Sequence, residues 1–228
     1  KGQAQERTSI QTPVGLMDIS HDQVEVTTKR YAAAEMTDIF LENETPVDER
    51  RELAQILASA MARRLDQLII DALVASNTPK TIAAGSANLT VDKIREAAEF
   101  LDNDNVPDGD RTLLVHPSGL HNLLGETEAT SSDFMNVKAL VNGDLNTFYG
   151  FNIIKIGNNP EGGLPIASNN RTNFAYHKTA AGLVVNMEPK VTMSWEEEYG
   201  AHRVSGWLSA NAVAIDKEGI VKITNSEA

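Results

Sequence analysis

Cysteine does not occur in the 228 residues. Disulfides, thiolate metal centres and a cysteine nucleophile are thereby excluded, and the composition fits a protein made in a reducing cytosol. Long apolar runs are missing too. Nothing approaches the ~18 consecutive apolar residues of a membrane-crossing helix, so no membrane partner is expected. Positive charge is scarce: 20 Lys and Arg stand against 32 Asp and Glu, a formal charge of −12. A groove that grips nucleic acid needs clustered Lys and Arg, which argues against such a groove but not against a protein that encloses DNA without gripping it.

Catalytic signatures are equally sparse. The histidines are His21, His116, His121, His177 and His202. None forms HExxH, and His116 and His121 are badly spaced for one helix face. Neither a phosphate-binding GxxxxGK nor a dinucleotide GxGxxG is present. Ser118, in HPSGLH, lacks the GxSxG elbow and reads as a helix-capping serine. The loop DNDNVPDGD (102–110) looks calcium-like, but Val106 and Pro107 occupy the fifth and sixth positions, where an oxygen ligand and Gly are needed. It reads as an acidic turn. Glu196, Glu197 and Glu198 read as a solvated strand end or an interface facing basic residues. No catalytic, cofactor-binding or metal-ligating residue is therefore assigned. The sequons at Asn43, Asn88 and Asn170 are taken as chance, since no secretory signal is visible; the start at Lys1 reads as a processed or partly ordered terminus.

What the chain does have is one long helix, ETPVDERRELAQILASAMARRLDQLIIDALVAS, from Glu44 to Ser76. Thr45 is the expected cap, Pro46 suits the first helical position, and Asp48, Glu49 and Glu52 place acid near the positive end of the dipole. Leu53, Ile56, Leu57, Ala60, Leu65, Leu68, Ile69 and Ala72 recur at helical spacing. The series is not a strict heptad, so the helix is expected to pack on a sheet, through Leu57, Leu65, Leu68 and Ile69, and not in a coiled coil.

Around it the pattern is mixed. Residues 1–23 are polar and lack helical period; they read either as a frayed terminus or as an extended arm or two-stranded loop lying on a neighbour. A strand is expected over Val24–Ala34, and over Glu35–Asn43 either more strand or a short helix, the helix being preferred. A small-residue connector (77–89) precedes a second helix, Thr90–Asn103, with Ile94, Ala97, Ala98 and Leu101 as its stripe. Arg111–His116 reads as a buried strand, Pro117–Leu124 and Phe134–Val141 as helical, Tyr149–Ile156 as a strand, and Gly157–Asn173 as turns. Phe174–His177 is strand-like. Leu183, Val185 and Met187 alternate until Pro189 breaks them; Val191, Met193 and Trp195 alternate again, and Ala201–Ile215 returns with Val204, Gly206, Leu208 and Ala210 on one face. Gly219–Thr224 closes the chain. Strands near both ends with a long helix between them imply an α+β fold whose ends meet in one sheet, the middle forming an inserted unit. At this length roughly 70% of the unfolded surface can be buried, enough for a real core.

In that order, four stretches resemble the major capsid proteins of tailed bacteriophages, whose fold is named after phage Hong Kong 97. They are VEVTTKRYAAAEMTDI leading into ARRLDQLIIDAL, with Arg64, Asp66 and Ala72; RTLLVHPSGLHNLL; ALVNGDLNTFYGFNIIKIGN; and EYGAHRVSGWLSANAVAIDKEGIVKI. The resemblance implies a Hong Kong 97-type capsid fold: residues 1–23 as an extended N-terminal loop, residues 24–80 plus 187–228 as a peripheral domain with a spine helix and sheet, and residues 81–186 as an axial domain. It implies a structural protein and not an enzyme. Its homo-oligomeric hexamers and pentamers would build an icosahedral shell around phage double-stranded DNA without sequence-specific binding. Portal, scaffold or decoration proteins are possible partners, and the location is the virion capsid, assembled in the host cytoplasm. Some members crosslink a loop Lys to a neighbour's Asn. Lys1 is the one Lys in the presumed loop and its partners are not matched, so that chemistry is not assigned.

Two other readings are weighed against this one. An encapsulin-like compartment shell shares the fold, and an acidic α+β hydrolase or binding protein would use a pocket near His116, His121 and Asp110. For the acidic turn, titration calorimetry is expected to show no tight calcium binding; tight binding lost in Asp104→Ala would contradict this.

Overall fold

The computed structural model describes residues 23–44, 46–125 and 147–227. The elements run β1 (Lys29–Asp38), α1 (Ile39–Glu44), α2 (Glu49–Ala75), β2 (Thr81–Ile82), α3 (Val91–Asn103), β3 (Arg111–Val115), α4 (Pro117–Gly125), β4 (Thr147–Phe148), β5 (Phe151–Lys155), β6 (Ile166–Ala167), β7 (Asn170–His177), β8 (Ala181–Glu196), β9 (Ala201–Ala214) and β10 (Ile220–Ser226). A single 3₁₀ turn, Lys178–Ala180, joins β7 to β8.

Helix α2 forms because 27 residues pass without Gly or Pro. It begins later than expected. Asp48, not Thr45, is the cap, its carboxylate accepting the Arg51 N–H at 3.3 Å; Thr45 lies outside the described residues, and Pro46 precedes the helix. At the other end Ser76 Oγ donates to the Leu73 carbonyl at 2.5 Å. The Lys222 ammonium donates to the carbonyls of Val74 (2.8 Å) and Ser76 (2.7 Å). A cation on the last carbonyls complements the helix dipole and ties β10 to α2.

Two sheets meet this helix. The first has the order β1-β9-β8, all antiparallel, with Ala32 opposite Trp207 and Lys190 opposite Trp207 on the other side. Its even-numbered β9 residues face α2: Val204, Leu208 and Ala210 are buried, and Leu208 and Ala210 pack with Met61 and Leu68, flanked by Tyr31 and Leu65. The Arg64 guanidinium lies 4.4 Å from the centre of the Tyr31 ring. The second sheet has the order β2-β10-β7-β3-β5-β4, with β6 on β7. One face carries Phe174, Leu114 and Ile220 against Ile70 and Leu73 of α2. The other carries Leu113, Val115, Ile153, Ala175, Val221 and Ile223 against α3 and α4. The alternation of odd and even residues between these two clusters is the strand period itself.

Helix α3 matches its expected range and stripe: Thr90 caps it, and Ile94, Ala97, Ala98 and Leu101 are buried. Lys93 is buried beside them, its ammonium donating to the carbonyls of Ala84 (2.8 Å), Ala87 (3.0 Å), Asn88 (3.2 Å) and Thr224 (3.2 Å). Burial lowers its pKa. The carbonyls pin the loop before α3 to β10.

Several expectations shift. The first strand starts at Lys29 and runs to Asp38, beyond Ala34, because its backbone pairs with β9 as far as Ala201. The helix that follows is correspondingly shorter. On α2, Ile56 is 57% exposed, while Met61, Ile70 and Leu73 are buried and were not in the expected set. The helix changes sheets along its length, so no single stripe describes both contacts. The expected strand Tyr149–Ile156 is a hairpin, with Tyr149 (φ +52°) and Gly150 (φ +81°) turning between β4 and β5. Pro189 does not break β8; the ladder absorbs it as register shifts between Val185 and Lys190. The stretch 157–173 is mostly turn but holds β6 and the start of β7. The ends do meet through β1, β8 and β9, but β10 joins the other sheet, between β2 and β7. The helix expected over 134–141 lies outside the described residues, as do residues 1–22.

Leu68→Ala, at the contact of α2 with the three-stranded sheet, is expected to cost about 2–5 kcal/mol in urea unfolding. Ile56→Ala on the solvent side is expected to stay within about 0.5 kcal/mol.

Candidate functional site

The residues of the hydrolase alternative do not converge. Asp110 precedes β3 and His116 follows it, so six residues of extended chain, about 20 Å, separate them. His121 points out from α4 and is exposed. Asp110 borders a cleft of about 650 Å³ where the start of β8 approaches the larger sheet, beside Arg111, Tyr176 and Lys178.

His116 instead belongs to a closed polar cluster. Its Nδ1 lies 3.0 Å from Glu227 Oε1 and 3.3 Å from Ser118 Oγ, and it faces the Ser118 N–H at 3.3 Å. Ser118 Oγ donates to the same Glu227 oxygen at 2.7 Å, and the buried Arg171 donates to it through Nε at 2.7 Å. The three residue types match a serine–histidine–acid triad, but the wiring does not. A triad uses both ring nitrogens in relay, His taking the serine proton on one and bonding the acid with the other. Here serine and acid share Nδ1, and the serine hydroxyl is turned onto the carboxylate. The cluster fastens the end of β10 to the start of α4 and to β7. Burial pushes the Glu227 carboxyl up, but the Arg171 guanidinium and Ser118 hydroxyl, with the His116 ring, outweigh it and hold the group below the ordinary glutamate range. Nothing in the sequence around Arg171 or Glu227 signals this pairing, which joins residues distant in the chain.

The acidic turn is likewise committed internally. Asp102 (2.7 Å) and Asp108 (2.9 Å) both face the buried Arg111 guanidinium, which also donates to the carbonyls of Val106 and Pro107. Asp104 pairs with Lys80. Among the described residues no group of His, Asp and Glu could hold a metal ion, and no helix is long and apolar enough to cross a membrane.

What remains uncovered is surface suited to other chains. β8 is a sheet edge of 16 residues on which Leu183, Val184, Val185, Met187, Met193 and Trp195 are all exposed. Phe40, at 71% exposure, and Tyr199, at 64%, add large rings. A run of exposed apolar side chains along an open edge is a place where chains associate. Trp195 stacks edge-on against His202 at 4.7 Å between ring centres. The expected acidic run sits at the hairpin after β8, where Glu197 and Glu198 are exposed in the turn and Glu196 lies 3.9 Å from Arg203.

With this geometry in view, a family model described as phage capsid protein matches residues 1–227. No curated protein matches the chain. A solved structure titled Mycobacterium phage Che8 shares 20% identity and superposes with a TM-score of 0.71, covering 90% of this chain and 76% of that one. The acid-stable capsid structure of Helicobacter pylori bacteriophage KHP30 superposes with a TM-score of 0.72 at 12% identity, over 87% and 75% of the two chains. The holo-SrpI encapsulin complex from Synechococcus elongatus PCC 7942 gives 0.63 at 13%, over 92% and 78%.

The lowered pKa of Glu227 sets a sign. Its contribution to stability is complete above the ordinary glutamate pKa and is lost as pH falls through its depressed folded value. Urea unfolding at pH 7 and in progressively more acidic buffer should therefore show a loss in wild type that is smaller in Glu227→Gln.

Proposed function

The chain belongs to the phage capsid protein family, a structural and non-enzymatic family, and from that premise we propose how its parts serve a shell. It is a major capsid protein with the Hong Kong 97-type fold, and its copies form an icosahedral shell. The match along residues 1–227 carries this reading.

The finer assignment is our own. The subunits group as hexamers and pentamers and enclose double-stranded DNA. The charge of −12 supports enclosure without tight or sequence-specific grip, which suits DNA that must leave again. Assembly takes place in the host cytoplasm, with portal, scaffold or decoration proteins as further partners. Sheet membership favours a peripheral unit of residues 24–75 with 181–214 and an axial unit of residues 76–180 with 220–226. The expected borders lay at 80 and 187, with the final strand in the peripheral unit. Pairing of β10 with β7 and β2 supports moving that strand to the axial unit. Residues 1–23 act as an arm that contacts other subunits. Their apolar residues are few and spread out, so ordering them at about 1–2 kcal/mol per residue calls for a broad contact area.

A second reading, an encapsulin-like compartment, draws on the similarity to the SrpI shell, which at 13% identity speaks for the fold alone. Purified full-length protein should form megadalton particles in sedimentation and negative stain, and particles from infected cells should contain nucleic acid. A protein cargo in its place would favour the compartment; a small oligomer would overturn both. Deleting residues 1–20 should leave a folded core that fails to close shells, and particles of normal size and stability from it would overturn the arm.

A further inference from the structure

Beside the first turns of α2 lies a groove of about 510 Å³, lined by Ala54, Ala58 and Met193 and edged by Arg50 and Arg51. Asp48 also borders it, but its carboxylate is engaged in capping the Arg51 N–H at 3.3 Å. The Arg51 guanidinium has no acidic partner among the described residues. Met193 at the groove is 55% exposed although it stands on the face of the sheet that α2 covers elsewhere. A basic edge over an apolar floor is notable on a chain with an excess of acid.

The complementary shape is on the same molecule. The turn after β8 presents the Glu197 and Glu198 carboxylates to solvent with no basic partner among the described residues, beside the exposed rings of Tyr199 and Trp195. Tyrosine and tryptophan are the side chains that most often anchor protein interfaces. Neither the Glu197 nor the Glu198 carboxylate pairs with Arg51 of its own chain. The ladder holds β8 and β9 paired to Glu196 and Ala201, and Glu197 lies about 13 Å along the strand from Met193.

We infer that this hairpin turn docks in the α2 groove of a second copy, with Glu198 against Arg51 and an aromatic ring over Met193, Ala54 and Ala58. Turn and groove are different surfaces, so the contact is head-to-tail: each copy gives one turn and receives one, and rotation from copy to copy closes it into a ring. Charge complementarity orients the approach, while the rings and the apolar floor supply desolvated contact. The inference rests on the shell reading and specifies one contact within it.

The test uses the full-length chain with Arg51→Glu, Glu198→Arg and the double variant, all at exposed positions. Each single reversal should lower the yield of closed particles at least tenfold in sedimentation, with melting temperature and circular dichroism unchanged, and the double variant should restore particles. Single variants that assemble like wild type, or a double variant that assembles no better than the singles, would overturn the contact while leaving the shell reading in place. If the wild-type chain itself forms no particles, the shell reading falls and the contact falls with it.

Discussion

One helix holds two sheets. The middle of α2 places Met61, Leu65 and Leu68 on β9, and its last turns place Ile70 and Leu73 on β7, β3 and β10. A helix of 27 residues spans about 40 Å, longer than either contact alone requires. The apolar residues move around its circumference because the two sheets approach it from different directions. This explains why the helix is only weakly one-sided, and why Ile56 could be taken for core and Ile70 missed.

Polar contacts then fix where the pieces end. Lys222 binds the last carbonyls of α2, Lys93 gathers four carbonyls from the loop before α3 and from β10, and Arg171 and Ser118 hold Glu227. All three bring the C-terminal strand into the larger sheet. Buried charges of this kind are costly unless fully satisfied, and breaking one partner leaves the other stranded. They act as registration points for β10, whose apolar residues Ile220, Val221 and Ile223 pack into the two clusters on either face of the larger sheet.

The subunit satisfies its interior and leaves its edges open. Arg111 and Lys80 neutralise the acidic turn, and His116 and Ser118 are absorbed by a structural carboxylate. The exposed apolar residues of β8, the Tyr199 ring beside its hairpin and the Arg51 guanidinium at the groove by α2 stay open to solvent. Chemistry inside is closed, and unspent surface lies outside. That distribution suits a building block and not an enzyme.

The sequence by itself determined the local elements. The long helix, α3 with its Thr90 cap, the strand–helix pair at 111–125 and the parity of β9 all follow from periods and caps that a few neighbouring residues encode. The resemblance of four ordered stretches also carried the family. Only the tertiary structure decided the rest. Whether Pro189 ends a strand depends on whether β9 can absorb a bulge opposite it. Which sheet receives β10 depends on β7 and β2, which are 43 residues or more distant from it in sequence. The meeting of Glu227 with Arg171, His116 and Ser118 joins segments that carry no mutual signal along the chain. Periodicity reports how one segment divides between core and solvent, while pairing partners and buried charge clusters are set by what the fold brings alongside.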